Sequence, residues 1–589
     1  MRDRGLRAAG PVSDRGLSLP GESSRSSPPA AATLAFLIVA LVVAAIGAPS
    51  ALAAGQEISR SEAIAAANRN PTVREEKGRH PELGATAVRK EGHWEVGYFE
   101  AGRELALAIV DPHSGEVLEA WTGNQVAWKM ARGYSGAFGH KLNAPYVFVP
   151  LCAIFLLGLV DWRRLWRVAN LDLAALLGFG ISHYFFNRAE IGVSVPLVYP
   201  VLLYLLGRSL WIGWRGRGEG LRPVWPTMWL VIAALFLMGF RVGLNVADSG
   251  AIDVGYAGVV GADRIAHGEP IYGNFPDDIS QGDTYGPVNY LAYVPFERIW
   301  PWSGHWDDLP AAHATAVVFD VATFVLLLLL GIRIRPGPEG QRLAAILAFG
   351  WAAYPYPAYV LESNSNDSLV AALLVATLVL AARPLARGGM LAAATWAKFA
   401  PAVLGPMFLT YRPAAAASGG DSYRTPSAEC PYGVTPGRLS MGRRRRWLLF
   451  LAGFAAVTVA VMLWPAVDPG LKAFYDRTIA SQAGRSSPFS IWGQVPSLEP
   501  VRIALLAATG ALAVALALVP RRKNLVQLAA LSAALLILLQ LTLHHWFYLY
   551  VVWWFPLLLA AMAAVEGRAT PESPPEPSPA RTSQPAPAG

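Results

Sequence analysis

The chain has 589 residues, of which 54% are hydrophobic and only 15% are charged, and its mean hydropathy is +0.35. This composition excludes an ordinary soluble globular protein and indicates an integral membrane protein. The net charge of +8 does not require a nucleic-acid partner, because membrane proteins collect Lys and Arg in their cytoplasmic loops. Cys152 lies in an apolar stretch and Cys430 in a polar loop, so neither a disulfide nor a metal site is expected.

Residues 1–54 are predicted to be a signal sequence or an N-terminal anchor. An Arg-, Ser- and Pro-rich stretch at 1–31 leads into the apolar run "LAFLIVALVVAAIGAPSALAA". The "ALA" at 51–53 fits a signal-peptidase site, so cleavage near Ala53 and an uncleaved anchor are both open. Under either alternative, the residues that follow are exported.

Residues 55–140 are predicted to form a small α+β extracytoplasmic domain. The segment "SRSEAIAAANRNP" has a helical period, with Ser61 as a candidate N-cap. The segment "HWEVGYFEAGRELALAIVDPHSGEVLEAWTG" alternates like strands, and Gly102 and the "DPHSGE" turn divide it into a meander. A helix followed by hairpins resembles a PepSY-like module. The domain has no cluster of catalytic residues, so binding or regulation is the expected role.

Apolar runs of about 17–22 residues recur beyond residue 140, and each is long enough to cross a hydrocarbon core about 30 Å thick. Eleven spans are predicted near 145–161, 170–187, 193–212, 226–244, 311–331, 343–361, 368–383, 447–465, 501–520, 525–542 and 547–565. Those within 141–225 precede a membrane core at 226–566. The run 388–410 contains Lys398 and then Pro401, so it is predicted to enter the membrane and return on the same side. The Pro-rich segment 567–589 is predicted to be a disordered cytoplasmic tail.

The charges of the loops predict the orientation. With the N-terminal domain outside and 388–410 re-entrant, the inner segments carry 23 Lys and Arg, and the outer loops after the first span carry 7. Cytoplasmic loops are the basic ones, so this orientation is favoured. The sequence thus predicts an all-α, multi-pass protein of the cell (plasma) membrane. Its polar loops, at 245–310, 362–367, 466–502 and 543–546, converge on the extracytoplasmic face, where a functional site is expected.

Asp253 lies in the longest of these outer loops. A helix running from Ala251 would place Ile252, Tyr256, Val259 and Val260 on one face, and we expect that face to lie along the bilayer as an interfacial helix. Asp253 would then sit at the membrane surface, where a catalytic carboxylate is one interpretation. The alternative is that Asp253 caps the start of the helix.

Four segments of the core resemble the signature blocks of glycosyltransferase family 87. The first, "DVGYAGVVGADRIAHGEPIYG", contains Asp253, Tyr256, Gly268 and Tyr272, and the second, "DTYGPVNYLAYVPF", contains Tyr285 and Pro287. The third, "ESNSND", contains Asn364, Asn366 and Asp367, and the fourth contains Lys398 and Pro401. The family commonly has two adjacent prolines in the second block and Asn-Gly-Gln in the third. Here Gly286 precedes Pro287 and the loop reads "ESNSND", which bears on the donor sugar more than on the fold.

The resemblance implies a GT-C membrane enzyme that uses a polyprenyl-phosphate sugar. It implies that Asp253 is the general base that deprotonates an acceptor hydroxyl, with Asp248 as the runner-up. One carboxylate suffices, because the lipid phosphate is already a good leaving group. By family analogy a hexose, with mannose expected, passes to a lipid- or cell-envelope-linked acceptor. No cofactor, nucleotide site or obligatory metal is expected, since the sequence has no P-loop and no dinucleotide fingerprint.

Several residues are candidates for binding the donor or the acceptor. Besides Tyr256, Tyr272, Tyr285, Asn364 and Asn366, they include the following basic residues: Lys398, His545, Arg264 and Arg298. A Lys in an apolar run is usually paired or functional, although snorkelling of Lys398 to the inner interface is an alternative. The aromatic residues after His545 also fit an interface belt. Glu362 and Asp367 are weak evidence for a metal site, and capping of the helix near Ser368 by Asn366 or Asp367 is preferred.

Two other functions compete with glycosyl transfer. A transporter or flippase of lipid-linked sugars predicts inverted repeats and charged residues within several spans. A non-catalytic sensor or scaffold predicts that the PepSY-like domain binds a partner and that Asp253 is dispensable.

Overall fold

The computed structural model describes residues 57–90, 92–134, 138–413, 442–481 and 487–565. The predicted signal or anchor segment at 1–54 and the predicted tail at 567–589 lie outside these ranges. Within them, the chain forms a small domain with a β-sheet, followed by a large bundle of apolar helices.

The N-terminal domain has two helices packed on one face of an antiparallel sheet. The helices span Arg60–Arg69 and Pro71–Arg79, and the strands are β1 (Gly84–Lys90), β2 (His93–Glu100), β3 (Arg103–Val110) and β4 (Val117–Thr122), in the order β1-β2-β3-β4. The predicted meander is confirmed for β2 to β4, with Val96 opposite Ala108. The sequence interpretation missed β1 and the second helix.

The cap of the first helix differs from the prediction. Ser59, not Ser61, is the N-cap, and its side chain accepts from the Glu62 amide while Glu62 reaches back to the Ser59 amide. A reciprocal capping box satisfies two backbone donors at once, which a serine two positions later cannot do.

The bundle consists of helices that differ in length. The main ones are Pro145–Leu159, Val168–Phe186, Ile191–Arg215, Thr227–Asp248, Asp253–His267, Pro287–Glu297, Pro310–Ile334, Gly337–Ala353, Pro355–Glu362, Asp367–Val379, Pro384–Ala397, Gly405–Thr410, Arg443–Pro465, Glu499–Leu518, Leu525–Gln540 and Val551–Ala564. Among the described residues, six helices are long and apolar enough to cross a membrane: Val168–Phe186, Ile191–Arg215, Thr227–Asp248, Pro310–Ile334, Arg443–Ala480 and Pro496–Leu518. The protein is therefore a helical membrane protein with a small N-terminal sheet. Four of the other predicted spans correspond to shorter apolar helices, and the span predicted at 343–361 is divided between the helices Gly337–Ala353 and Pro355–Glu362.

The bundle has two chemically different ends. At one end, which we call the basic end, the loops 161–167, 215–223, 333–342, 379–387, 411–413 and 519–524 meet. Arg335 donates to the Ala564 carbonyl at 2.9 Å, Arg342 to the Pro223 carbonyl at 2.7 Å, and the Lys523 amide to the Arg412 carbonyl at 3.2 Å. Arg and Lys side chains thus collect there.

The opposite end, which we call the polar end, is formed by the segments 138–144, 245–256, 362–367, 487–491 and 543–550. The Gly250 amide donates to the Glu362 carbonyl at 3.3 Å, and the Trp546 amide donates to the Phe489 carbonyl at 3.3 Å. The Gln125 side chain donates to the Asn187 carbonyl at 2.9 Å, which ties the segment after the sheet to this end.

The run predicted to be re-entrant forms a hairpin. The helix Pro384–Ala397 runs toward the polar end, and a 3-10 turn at Ala400–Leu404 and the helix Gly405–Thr410 return. Arg387 near the start of the hairpin donates to the Tyr411 carbonyl at 3.4 Å and lies over the Tyr411 ring. The chain therefore returns to the end from which it started, and its apex extends as far as the polar end.

The helix Asp253–His267 does not present its apolar face to a bilayer, contrary to the prediction. Ile252, Tyr256, Val259 and Val260 are all buried, with at most 4% of any of them exposed. The helix Pro287–Glu297 and the following loop cover that face with aromatic side chains such as Tyr293 and Trp306. The predicted apolar face of the helix is correct, but this face packs against protein and not against lipid.

Candidate functional site

The first and third signature segments are joined through their backbones. The Ile252 amide donates to the Ser363 carbonyl at 3.2 Å, next to the bond between Gly250 and Glu362. Asn364 has a left-handed backbone with φ of 46°. Its side-chain oxygen accepts from Asn245 at 2.8 Å, and its side-chain nitrogen donates to the Ser249 hydroxyl at 3.0 Å. The Asn364 side chain thereby ties the loop 363–366 to the end of the helix Thr227–Asp248, while the Ile252 amide ties it to the start of the Asp253 helix.

Gly255 makes this contact possible, and Gly255→Ala is expected to weaken it. A methyl group at this position would lie 2.4 Å from the Asn364 carbonyl oxygen, so helix and loop must separate. We expect a loss of about 1–3 kcal/mol in stability, as for other overpacked sites, measured as a lower thermal midpoint of the purified protein.

Gly243→Ala is the matched control. Nothing lies within 4 Å of a methyl group at Gly243, and alanine is the better helix former. An equal loss in both variants would contradict the proposed contact with Asn364.

Asp253 is exposed and is the first residue of its helix. Its Oδ1 accepts from the neighbouring Val254 amide at 2.9 Å. The N-cap position is occupied by Ile252, and no side-chain capping bond is formed. Asp253 is therefore not the N-cap residue, although its carboxylate does accept from an amide of the first turn. The residue is exposed, and the start of its helix contacts the loop 363–366.

Asp248, the runner-up base, is engaged with the segment that follows the sheet. Its Oδ1 lies 3.1 Å from the Lys141 ammonium, and its Oδ2 accepts from the Lys141 amide at 3.1 Å. This ion pair is partly exposed and links the N-terminal half of the chain to the membrane core.

Lys398 and Asp367 form a buried ion pair at the apex of the hairpin. Lys398 Nζ lies 2.5 Å from Asp367 Oδ1, and the side chains are 9% and 1% exposed. The Trp553 indole also donates to Asp367 Oδ1 at 2.7 Å. The ammonium lies over the rings of Trp553, Tyr550 and Tyr285 at 5.1, 5.3 and 5.6 Å. Lys398 therefore pairs at the polar end and does not snorkel to the other one.

The predicted capping of the helix Asp367–Val379 is confirmed for the position of the cap but not for its side-chain bond. Asn366 occupies the N-cap position but makes no side-chain capping bond. The carboxylate of Asp367 bonds instead with Lys398 and Trp553, and the Asn366 amide donates to Asn289 at 2.7 Å. Tertiary partners thus take up Asp367 Oδ1 and the Asn366 side chain, whereas Asp367 Oδ2 accepts from the Ser365 hydroxyl at 2.8 Å.

The second signature segment packs against both the first and the fourth. In the first segment, the Tyr272 hydroxyl donates to the Tyr285 carbonyl at 3.0 Å. A methyl group on Gly286 would lie 2.0 Å from the Trp396 carbonyl oxygen. The departure from two adjacent prolines therefore has a physical reason, because only glycine fits between Tyr285 and the helix that ends at Ala397.

Four other predicted binding residues have protein partners. Tyr256 donates to Asp278 at 3.1 Å, and burial together with this carboxylate raises the pKa of its hydroxyl. Arg264 forms an ion pair with Glu269, and Arg298 donates to the Ala266 carbonyl at 3.4 Å. The Nδ1 of His545 lies 2.9 Å from the Ser487 hydroxyl. The structure does not bring Arg264 or Arg298 to the Lys398 pair, whereas the His545 ring contacts Tyr550, which does lie over Lys398.

Sequence reasoning missed a buried carboxylate, Asp283, and its partner Arg477. Asp283 is fully buried, and its Oδ2 accepts from the Gly273 amide at 2.6 Å and from Arg477 Nε at 2.6 Å. The Arg477 side chain is 38% exposed. The two residues are 194 positions apart, and no local pattern links them. The one hint in the sequence was the position of Asp283, which lies two residues before Tyr285 in the second signature segment.

Two ion pairs within the spans were also missed. Arg208 contacts Asp172 at 2.7 Å, and Arg241 contacts Asp320, which also accepts from the Trp351 indole at 3.0 Å. Asp172 and Asp320 are at most 1% exposed. Each carboxylate has an arginine on another helix as its partner, which is the arrangement that charges need inside an apolar bundle.

No metal centre is formed by the described ranges. Within them, no group of three or more His, Cys, Asp or Glu side chains could hold a metal ion. Glu362, the weak metal candidate, is fully buried, and this burial raises the pKa of its carboxyl well above its usual range.

The candidate site is thus the surface of the polar end at Asp253 and the Asn364 loop, together with two ion pairs, Lys398–Asp367 and Asp283–Arg477, whose segments pack on the same loop or the same helix. Comparison with protein-family models, with curated proteins and with solved structures finds no match to this chain. The functional conclusion therefore depends on the residues of this site.

Proposed function

We propose that the protein is a GT-C membrane glycosyltransferase of the family 87 type. It transfers a hexose, with mannose expected, from a polyprenyl-phosphate donor to a lipid- or envelope-linked acceptor. One observation carries the proposal. Four polar segments, spread over about 150 residues of sequence, contact one another at one end of an apolar bundle, and the exposed Asp253 begins the helix that contacts the third segment at Ser363 and Asn364.

The two ends of the bundle support an orientation. The basic end collects Arg and Lys from six loops, as cytoplasmic loops do. The polar end is then extracytoplasmic, together with the N-terminal domain and the site. A donor delivered on a lipid suits this side of the plasma membrane, where no nucleotide sugar is required.

The proposed reaction needs one base and one anion-binding group. Asp253 takes the proton of the acceptor hydroxyl while the acceptor oxygen forms a bond to the anomeric carbon of the donor. The bond between that carbon and the phosphate oxygen breaks, and polyprenyl phosphate leaves with the electron pair. Because the leaving group is a phosphate, no acid carboxyl is needed to protonate it.

Arg477 is the basic residue that we assign to the donor phosphate. Its guanidinium is held by the buried Asp283 but is still 38% exposed, and an Arg fork suits phosphate oxygens. Lys398 is less suitable, since its ammonium is enclosed by Asp367 and three aromatic rings. We therefore give Lys398 a positioning role.

The experiment uses proteoliposomes that contain the purified full chain and radiolabelled polyprenyl-phosphate mannose, with an envelope extract as the source of acceptor. Label recovered in a new product, and absent from protein-free liposomes, supports the proposal. A failure to form product from polyprenyl-phosphate mannose, glucose and galactose alike would reject it.

A transporter of lipid-linked sugars is the second candidate, favoured by the buried charge pairs Arg208–Asp172 and Arg241–Asp320. The same proteoliposomes distinguish it. Movement of unreacted donor between leaflets without product would support transport. If neither movement nor product were detected, the sensor or scaffold would be the remaining candidate.

A further inference from the structure

The loop between the helices Pro287–Glu297 and Pro310–Ile334 carries an unusual density of tryptophan. It reads "IWPWSGHWDDL" over residues 299–309. Its three tryptophans, Trp300, Trp302 and Trp306, are each half-buried, while Ser303, Gly304 and His305 between them are exposed. This loop lies at the polar end, close to the start of the Asp253 helix.

Trp306 is attached directly to the segment that leads into Asp253. Its indole nitrogen donates to the Ala251 carbonyl at 3.0 Å. Its ring stacks on the Tyr256 ring, with centroids 4.7 Å apart and an angle of 25° between the planes. Ala251 and Tyr256 lie two residues before and three residues after Asp253, so the indole is fixed to the first turn of the helix that Asp253 begins.

Trp302 extends the same aromatic surface. Its indole nitrogen donates to the His305 carbonyl at 3.0 Å, and its ring lies 6.1 Å from the Tyr256 ring. The indole N–H groups of Trp302 and Trp306 are therefore both used within the protein. The rings pack against the apolar cluster around Tyr256, and the part of each ring that stays exposed is an apolar surface.

The charge of this surface selects its ligand. Asp278, Asp307 and Asp308 are exposed around the tryptophans, and the loop 299–309 contains no Lys or Arg. Carboxylates repel phosphate and anionic lipid headgroups, but they accept hydrogen bonds from hydroxyl groups. Asp307 is itself held in place, since it accepts from the Ser303 hydroxyl at 2.5 Å and from the Leu309 amide at 3.1 Å.

A sugar ring has an apolar face of C–H groups and an edge of hydroxyl groups. Aromatic rings match the apolar face, and neighbouring carboxylates match the hydroxyl edge. Ligand sites in general combine an apolar wall with a few polar groups that fix the orientation of the ligand. We propose that Trp302, Trp306, Asp278, Asp307 and Asp308 bind the sugar unit that presents the acceptor hydroxyl. The inference rests on the proposed function, and it makes the acceptor a glycan rather than a bare lipid alcohol or a protein side chain.

The first measurement is binding, which does not depend on transfer. Saturation-transfer difference NMR is recorded on the full chain in nanodiscs, with methyl glycosides of mannose, glucose, galactose and arabinose as probes and glycerol as the control for a simple polyol. Wild type and Asp253→Asn are expected to bind at least one glycoside, and Trp306→Ala is expected to lose it. Trp306→Phe keeps a ring on Tyr256 and is expected to retain part of the signal. Trp300→Ala is the matched control in the same loop.

The second measurement is the kinetics of transfer. Trp306→Ala is expected to raise KM for the acceptor about tenfold, the loss of roughly one good aromatic contact, while KM for the donor stays unchanged. A rise in both values, or a fall in kcat alone, would show a structural defect and overturn the assignment.

The two proposals fail in different ways. Glycoside binding without any transfer by wild type would reject the glycosyltransferase and keep the sugar site. Transfer by wild type without binding of any glycoside, or with equal binding by Trp306→Ala, would reject the sugar site and leave the aromatic residues as an interface belt.

Discussion

Sugar transfer is expected to fall by about 10²–10⁴-fold when Asp253 is replaced by Asn, the range that positioned proton transfer contributes in enzymes. Asn keeps the size of the side chain and its bond with the Val254 amide, but it cannot take the proton of the acceptor hydroxyl. The measurement is the initial rate of label transfer at matched protein amounts, with KM for the donor unchanged.

Two other aspartates provide the controls for Asp253. Asp277 is exposed in the loop next to Asp278, and Asp277→Asn is expected to stay within about twofold of wild type, as surface substitutions do. Asp248→Asn disturbs the Lys141 pair and is expected to retain most of the activity. If Asp253→Asn kept full activity while Asp248→Asn lost it, the general base would be Asp248 and not Asp253.

Breaking the Lys398–Asp367 pair is expected to have the largest effect on stability. Lys398→Met keeps the length of the side chain but leaves the carboxylate of Asp367, 1% exposed, without its cation. Removing one partner of a buried pair costs about 3–5 kcal/mol. The thermal midpoint of the purified protein is expected to fall accordingly, and transfer should fall with it because the hairpin apex is no longer fixed to the helix Asp367–Val379.

An exposed pair of the same type is the matched control. Lys472 Nζ also lies 2.5 Å from a carboxylate, that of Asp476, but these side chains are 90% and 47% exposed. Lys472→Met is expected to leave the midpoint unchanged, since exposed pairs contribute little. Combining Lys398→Met with Asp367→Asn removes the unpaired charge and should recover part of the loss. If the double variant were as unstable as the sum of the two single ones, the pair would not be the cause.

The architecture could be anticipated from the sequence because apolar periods and loop charges are local or additive signals. The alternating segments gave β2 to β4, and the run with Lys398 and Pro401 predicted a hairpin that the contact between Arg387 and Tyr411 now shows. The apolar face of the Asp253 helix was also read correctly. Whether a bilayer or the helix Pro287–Glu297 covers it is a tertiary question that one helical period cannot answer.

The site was less predictable, because its polar partners are distant in sequence. A loop reading "ESNSND" favours capping on local grounds, yet Asp367 pairs with Lys398, 31 residues away, and with Trp553, 186 residues away. Asp283 and Arg477 were overlooked for the same reason. The N-cap of the first helix was missed for a local reason. The reciprocal bonds between Ser59 and Glu62 make Ser59 the cap rather than Ser61.

The ion pair at the apex of the hairpin has a consequence for how the chain enters the membrane. In the proposed orientation, the ammonium of Lys398, which directly follows the helix Pro384–Ala397, must be carried across the bilayer during synthesis, and a charge within the hydrocarbon core is costly. Asp367 precedes Lys398 by 31 residues, so the receiving carboxylate has left the ribosome before the lysine does. The order of the two charges along the chain thus lets the hairpin insert against a partner that is already in place.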